Sequence, residues 1–196
     1  MTRKVCVLGV GIHNWGRFPE KSLLEMEIEA ATKAIQDAGI EWRNIQGIGC
    51  ASSRFGGGLG WGLHGNELAQ AVAENGVPIL NVSAACSAGG VAVEAAYLMV
   101  ATGMADIVLA IGGEKMPYGF IPRTPGSADD ATDYDFLRWS CIGMPNPAYW
   151  ALEACRRMED FGTTQTTYAR VSVKAHRNGV YNPITRFRKE FTIEEV

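Results

Sequence analysis

Residues 84–101 most restrict how this chain can fold: Ala-Ala-Cys-Ser-Ala-Gly-Gly-Val-Ala-Val-Glu-Ala-Ala-Tyr-Leu-Met-Val-Ala, a run dense in small residues that ends just before Gly103. Val91, Ala95, Leu98 and Ala101 fall on one side at helical spacing, and a helix of this make-up can be surrounded by protein on most sides. The segments around it offer such surroundings. Ile79–Val82 ahead of it and Ile107–Ile111 after it are short apolar strands, and Ile45–Cys50 reads as another. Val5–Val10 reads as a buried strand that ends in a glycine-containing turn. Between these lies a helical pattern. Ser22 caps it with Glu25 three residues on, Leu24, Ile28, Ala31, Ile35 and Ala38 recur along it, and Gly39 stops it. Strands alternating with helices predict an α/β core: a mostly parallel mixed sheet with helices on both faces.

Two stretches interrupt this pattern. Residues 55–65 carry six glycines around Trp61 and His64, which predicts a loop, followed by a helix over 66–74. Beyond Pro117 come Pro122, Pro125 and Gly126, the acidic group Asp129, Asp130, Asp133 and Asp135, then Pro145 and Pro147. These read as a loop excursion into which helices at 148–160 and 164–177 pack. The expected organisation is a core over 1–118 and an excursion of the same half over 119–196.

The formal net charge is -3, and the 18 Lys and Arg residues are scattered, so nucleic acid is an unlikely partner. The apolar run at 5–10 is too short and too quickly broken for a signal segment or a membrane span, and a cytoplasmic location is the default expectation. Five cysteines, Cys6, Cys50, Cys86, Cys141 and Cys155, are widely spaced with no CxxC pair, which predicts reduced thiols and no metal site.

Chemistry concentrates in Asn81-Val82-Ser83-Ala84-Ala85-Cys86-Ser87-Ala88-Gly89-Gly90, where a strand end delivers a cysteine to the start of the small-residue helix. Backbone N–H groups and the helix dipole at such a place favour a thiolate, and the same N–H groups can hold the oxygen of a tetrahedral intermediate. Ser87, Gly89 and Gly90 are the candidate substrate contacts, the glycines leaving room for a thioester near the backbone. The alternative is that Cys86 is a small buried residue filling a tight helix contact, as free cysteines commonly are. Structural roles are expected for the other four cysteines.

Asn81 through Gly90 resembles the nucleophile segment of thiolases, with an Asn ahead of the reactive Cys and a Ser-small-Gly after it. Gly112-Gly113-Glu114-Lys115-Met116 resembles the thiolase Gly-Gly-x-Glu-x-Met segment, one residue shorter between glycine and glutamate. Val7-Leu8-Gly9-Val10-Gly11 and the segment from Ala175-His176-Arg177-Asn178-Gly179 to Asn182-Pro183 resemble the lipid-transfer (sterol-carrier) branch of that superfamily. The resemblance spans essentially the whole chain. It implies Claisen-type exchange on coenzyme A thioesters with Cys86 acylated, acyl-CoA as substrate and no separate cofactor. It also implies a homodimer paired through the nucleophile-bearing half. Family members draw a base and an enolate-holding group from a C-terminal half, in Gly-His-Pro and Cys-x-Gly-Gly motifs that do not occur here. The expected partners are therefore that C-terminal thiolase half and, as in some relatives, a zinc-ribbon and OB-fold companion.

Three histidines remain. His64 is a candidate substrate contact if its loop folds inward, although a lone loop histidine more often faces solvent. His13 falls in a turn and His176 at a helix end, while Arg186, Arg188 and Lys189 are candidates for coenzyme A phosphates or a solvated charge run. Two other functions stay open: a retro-aldolase acting on a 3-hydroxyacyl-CoA side chain, and a non-catalytic acyl-CoA or lipid binding subunit.

Overall fold

The computed structural model describes residues 3–53, 62–72, 76–116 and 146–196. Two compact units make it up, Met1–His13 with Arg17–Lys115, and Asn14–Gly16 with Met116–Val196.

The first unit is built on three parallel strands, β1 (Gly47–Ala51), β2 (Ile79–Val82) and β3 (Val108–Gly112), in the order β2-β1-β3. β1 is central and buried along its whole length, which requires helices on both faces. Its sequence, Gly-Ile-Gly-Cys-Ala, divides those faces by the two-residue period of a strand. Ile48 and Cys50 join Leu109 and Ile111 of β3 in a core closed by α1 (Leu23–Ala38) and α2 (Gly65–Val72), through Leu23, Ile35 and Leu68. Gly47 and Gly49 face α3 (Ala88–Ala101). A Cβ at Gly49 would sit 2.8 Å from the Ala92 carbonyl oxygen, and one at Gly47 would sit 2.4 Å from Met99 Cε. Glycine is needed at Gly49, where the α3 backbone itself stands too close for a side chain, whereas at Gly47 the close atom is the end of the flexible Met99 side chain.

α1 follows its expected limits. Ser22 and Glu25 form the reciprocal capping box, and Gly39 ends the helix in the left-handed conformation at φ 67°. Its buried face is Leu23, Glu27, Ala31 and Ile35, so one carboxylate lies on the core side.

Two expectations are corrected. Val5–Val10 forms no strand, and Val7, Leu8 and Val10 are exposed. No described strand pairs with the segment, which lies backbone-first against α1: a Cβ at Gly9 or Gly11 would fall 2.4 Å from the Ala34 oxygen or 2.1 Å from the Ala30 oxygen. Val10 N–H donates to Asp37 Oδ2 at 2.9 Å and Lys33 Nζ to the Ile12 carbonyl at 3.1 Å, which fixes the segment to the helix rather than to a ladder. The second correction concerns α3. Its buried residues are Ala88, Ala92, Ala95, Ala96, Met99 and Ala101, whereas Leu98 is exposed. Contact with two glycines selects the alanine side of the helix and turns the larger Val93, Tyr97 and Leu98 outward.

In the second unit, α4 (Asn146–Phe161) turns through Gly162 at φ 65° into α5 (Gln165–Gly179), which Thr164 caps by accepting from Thr167 N–H. Tyr168 Oη donates to the Ala154 carbonyl at 3.3 Å, joining the two helices. Trp61, most of the glycine-rich loop, Cys141 and the acidic and proline-rich stretch of 117–145 lie outside the described residues.

Candidate active site

Three parallel strands end together, and their carboxyl edge is where an open α/β sheet presents its chemistry. β2 leaves that edge through Ser83 and Ala84 into a 3₁₀ turn at Ala85–Ser87, and α3 begins at Ala88. Cys86 lies in the turn and is exposed among the described residues. Ala85 ahead of it has φ 46°, the one non-glycine residue with positive φ among those described. A left-handed alanine costs roughly 1–2 kcal/mol and persists only where its surroundings impose it. Ser87 supplies part of that constraint, its N–H and Oγ both donating to the Ala84 carbonyl at 3.0 and 2.7 Å.

Ser87, Gly89 and Gly90 lie with Cys86 at this helix start and are all exposed. A Cβ at either glycine would meet nothing within 4 Å. Space is therefore open beside both glycines among the described residues.

The other two strand ends are tied to the turn. β1 continues into Ser52 and Ser53, with Ser52 N–H donating to the Val82 carbonyl at 3.3 Å and Ser83 Oγ to the Ser53 carbonyl at 3.0 Å. Glu114, just past β3, accepts from Ser53 N–H and from Ser52 Oγ through Oε1. Gly112 and Gly113 make this approach possible, since a Cβ at Gly112 would lie 2.6 Å from the Ala51 oxygen and one at Gly113 2.9 Å from Glu27 Oε1.

His64 directly precedes α2. Its Nδ1 lies 3.5 Å from Glu67 Oε1, and its side chain is 43% exposed. Gly65 N–H donates to Asn81 Oδ1 at 2.8 Å, so Asn81 satisfies an orphan donor at the α2 N-terminus. That bond joins the His64 neighbourhood to the strand that delivers Cys86.

The remaining candidates have other surroundings. Cys50 is fully buried, donates to the Leu63 carbonyl at 3.3 Å, and is pushed up to about 12 by burial and then by the charges of Glu27 and Glu67. Its thiol is inert at neutral pH. His13 is nearly buried beside Phe18 and Glu29, and Glu29 is held down at about 2, chiefly by hydrogen bonds from Lys21 and Lys33. In the second unit His176 stacks edge-on to Phe191 at 4.6 Å, and its Nδ1 is buried without a hydrogen-bond partner. Arg186 and Lys189 lie over Phe187 and Phe191 at 4.9 and 4.8 Å.

Sequence reasoning missed Glu27. It is 2% exposed with both carboxyl oxygens unpartnered, and burial followed by the charge of Glu67 raises it to about 8. The signal was available: Leu23, Glu27, Ala31 and Ile35 recur every four residues. Among the described residues, no three His, Cys, Asp or Glu side chains converge as a metal site, and no helix is long and apolar enough to cross a membrane.

Residues 10–194 match the family profile described as "Thiolase, N-terminal domain". The acetyl-CoA acetyltransferase of Methanothermobacter thermautotrophicus is 32% identical over 99% of this chain and 50% of its own length. Sterol carrier protein 2 of Gallus gallus is 30% identical over 100% of this chain and 36% of its own. The benzoylsuccinyl-CoA thiolase subunit BbsB of Thauera aromatica is 30% identical over 100% and 49%. The chain thus spans about half the length, or less, of these curated relatives. Among solved structures, an Ltp2-ChsH2(DUF35) aldolase superposes with a TM-score of 0.69 over 95% of this chain and 46% of that one, at 24% identity, a likeness of fold.

Proposed function

The chain belongs to the thiolase family, whose N-terminal domain it matches, and from that membership we propose that the protein is an acyl-CoA acyltransferase working through an acyl-Cys86 intermediate. One observation carries the reading: Cys86 is exposed on a left-handed turn at the carboxyl edge of the sheet, with open space over Gly89 and Gly90.

In the first half-reaction the Cys86 sulfur, having given up its proton, attacks the carbonyl carbon of an acyl-CoA. The tetrahedral oxyanion collapses, the carbon–sulfur bond to coenzyme A breaks, and CoA leaves as a thiolate that takes up a proton. Backbone N–H groups at the start of α3 are the donors this reading assigns to the developing oxyanion. In the second half-reaction the acyl group passes to the α-carbon of another thioester, or, in the reverse direction, CoA thiolate receives it. The base and the enolate-holding groups for that step belong to the portion of the relatives' length that this chain does not span.

Incubation of the protein with acetyl-CoA followed by intact-mass measurement tests the first step. A gain of one acetyl group, absent in Cys86→Ser, is the expected result. A folded protein that never gains it is not an acyltransferase of this kind.

A second reading, retro-aldol cleavage of a 3-hydroxyacyl-CoA, draws on the shared fold with the solved aldolase. It predicts turnover that survives Cys86→Ala. A small companion protein accords with the ChsH2(DUF35) named with that structure. The same reading includes a homodimer and a second half laid over the outward face of α3, where Val93, Tyr97 and Leu98 are 59%, 47% and 51% exposed.

A further inference from the structure

Glu114 is a positioning residue for Cys86, we infer, holding the three strand ends in the register that keeps the cysteine turn in its left-handed form. The inference rests on the acyl-cysteine reading and deepens it.

The path is continuous. Glu114 follows β3 and accepts from Ser53 N–H and Ser52 Oγ at the end of β1. The Ser53 carbonyl accepts from Ser83 Oγ at 3.0 Å, and Ser83 lies three residues ahead of Cys86. Ser52 N–H reaches the same strand at the Val82 carbonyl. Ser87 closes the turn from its far side by donating twice to the Ala84 carbonyl. Ala84 and Ala85 are thus held between two hydrogen-bonded anchors, one running back to Glu114 and one within the turn itself.

This arrangement answers two needs. Ala85 at φ 46° sits outside the comfortable range of an alanine and relaxes unless its flanks are fixed. The turn also follows a strand that pairs with β1 alone among the described strands, so within them β1 is its one sheet neighbour. Glu114 supplies that restraint through the end of the central strand, whose Ser53 passes it to Ser83. Its carboxylate is well suited to the task, because an ionised acceptor makes stronger bonds to a backbone N–H and a hydroxyl than a neutral one does.

The test uses Glu114→Ala, Glu114→Gln and Ser83→Ala in the protein, with two readouts. The first is the single-turnover rate of Cys86 acylation by acetyl-CoA, read beside affinity for the ester. The second is the rate of Cys86 labelling by iodoacetamide, read by peptide mass. Glu114→Ala is expected to slow acylation by about 10- to 100-fold, as a misplaced nucleophile does, with affinity unchanged. Ser83→Ala should show a smaller loss of the same kind. Glu114→Gln should restore most of the rate, because its amide oxygen still accepts from Ser53 N–H. If Glu114→Ala does not fold, Ser83→Ala decides the matter. Wild-type acylation and labelling rates in the folded alanine variants overturn the inference, and so does a glutamine variant as impaired as the alanine one. If the wild-type protein takes no acyl group, the acyl-cysteine reading fails, and the brace is judged by labelling alone: altered in both alanine variants if it holds, equal to wild type if it does not.

Discussion

Glu27 is a buried carboxyl on the core face of α1, and its burial ties stability to pH. Its carboxyl group has no hydrogen-bond partner in the core, and burial raises it to about 8. Between the ordinary carboxylate range and about 8 the folded chain keeps a proton that the unfolded chain has released, so the contribution is full below about 4.5 and is lost as pH rises to about 8. Its size is on the order of a few kcal/mol. The melting temperature should therefore decline across that window, and Glu27→Gln should flatten the decline, as measured by thermal unfolding at a series of pH values. The cysteines make a second contrast. Iodoacetamide applied to the native protein should modify Cys86 and leave Cys50 untouched, because Cys50 is fully buried and pushed up to about 12. Labelling of Cys50 in the folded protein would contradict the core described for β1.

At the scale of elements, the glycine face of β1 determines where α3 lies and so where Cys86 is delivered. Gly49→Ala puts a methyl group 2.8 Å from the Ala92 carbonyl oxygen and forces helix and strand apart. Overpacking of this kind costs about 1–3 kcal/mol, and chemical denaturation should show a loss in that range together with slower acylation of Cys86. Ala85→Gly acts on the turn. Glycine adopts a left-handed conformation without strain but widens the choices of the unfolded chain, so stability should change little while the turn gains freedom. Acylation slower than wild type at unchanged melting temperature is the expected outcome, read by single-turnover kinetics and calorimetry. These two substitutions separate the place of the helix from the conformation of the turn.

For the molecule as a whole, the outward Val93, Tyr97 and Leu98 on α3, the helix that follows Cys86, form an exposed apolar surface. If the rest of the protein or a second copy covers it, replacing Val93 and Leu98 together by Glu should lower the melting temperature and shift the assembled mass, measured by calorimetry and light scattering. No change in either would mean that this face meets water. Much of the molecule was legible beforehand. The capping box at Ser22, the strands near 47–51, 79–82 and 108–112 and the helices that follow them all leave local signals in spacing or in turn chemistry. Val5–Val10 misled because its apolar run is local, whereas a strand needs a partner that is not, and among the described strands none pairs with it. The buried side of α3 was likewise invisible, since a helix apolar nearly all round has no preferred face until Gly47 and Gly49 admit its alanines. By itself the sequence determined the order and type of α1 to α5 and β1 to β3, because caps, glycine stops and hydrophobic period act within a few residues. Only the tertiary structure decided that Glu27 is entombed, that Ala85 is left-handed, and that Glu114 joins three strand ends, because each depends on groups tens of residues apart meeting within hydrogen-bonding or van der Waals reach.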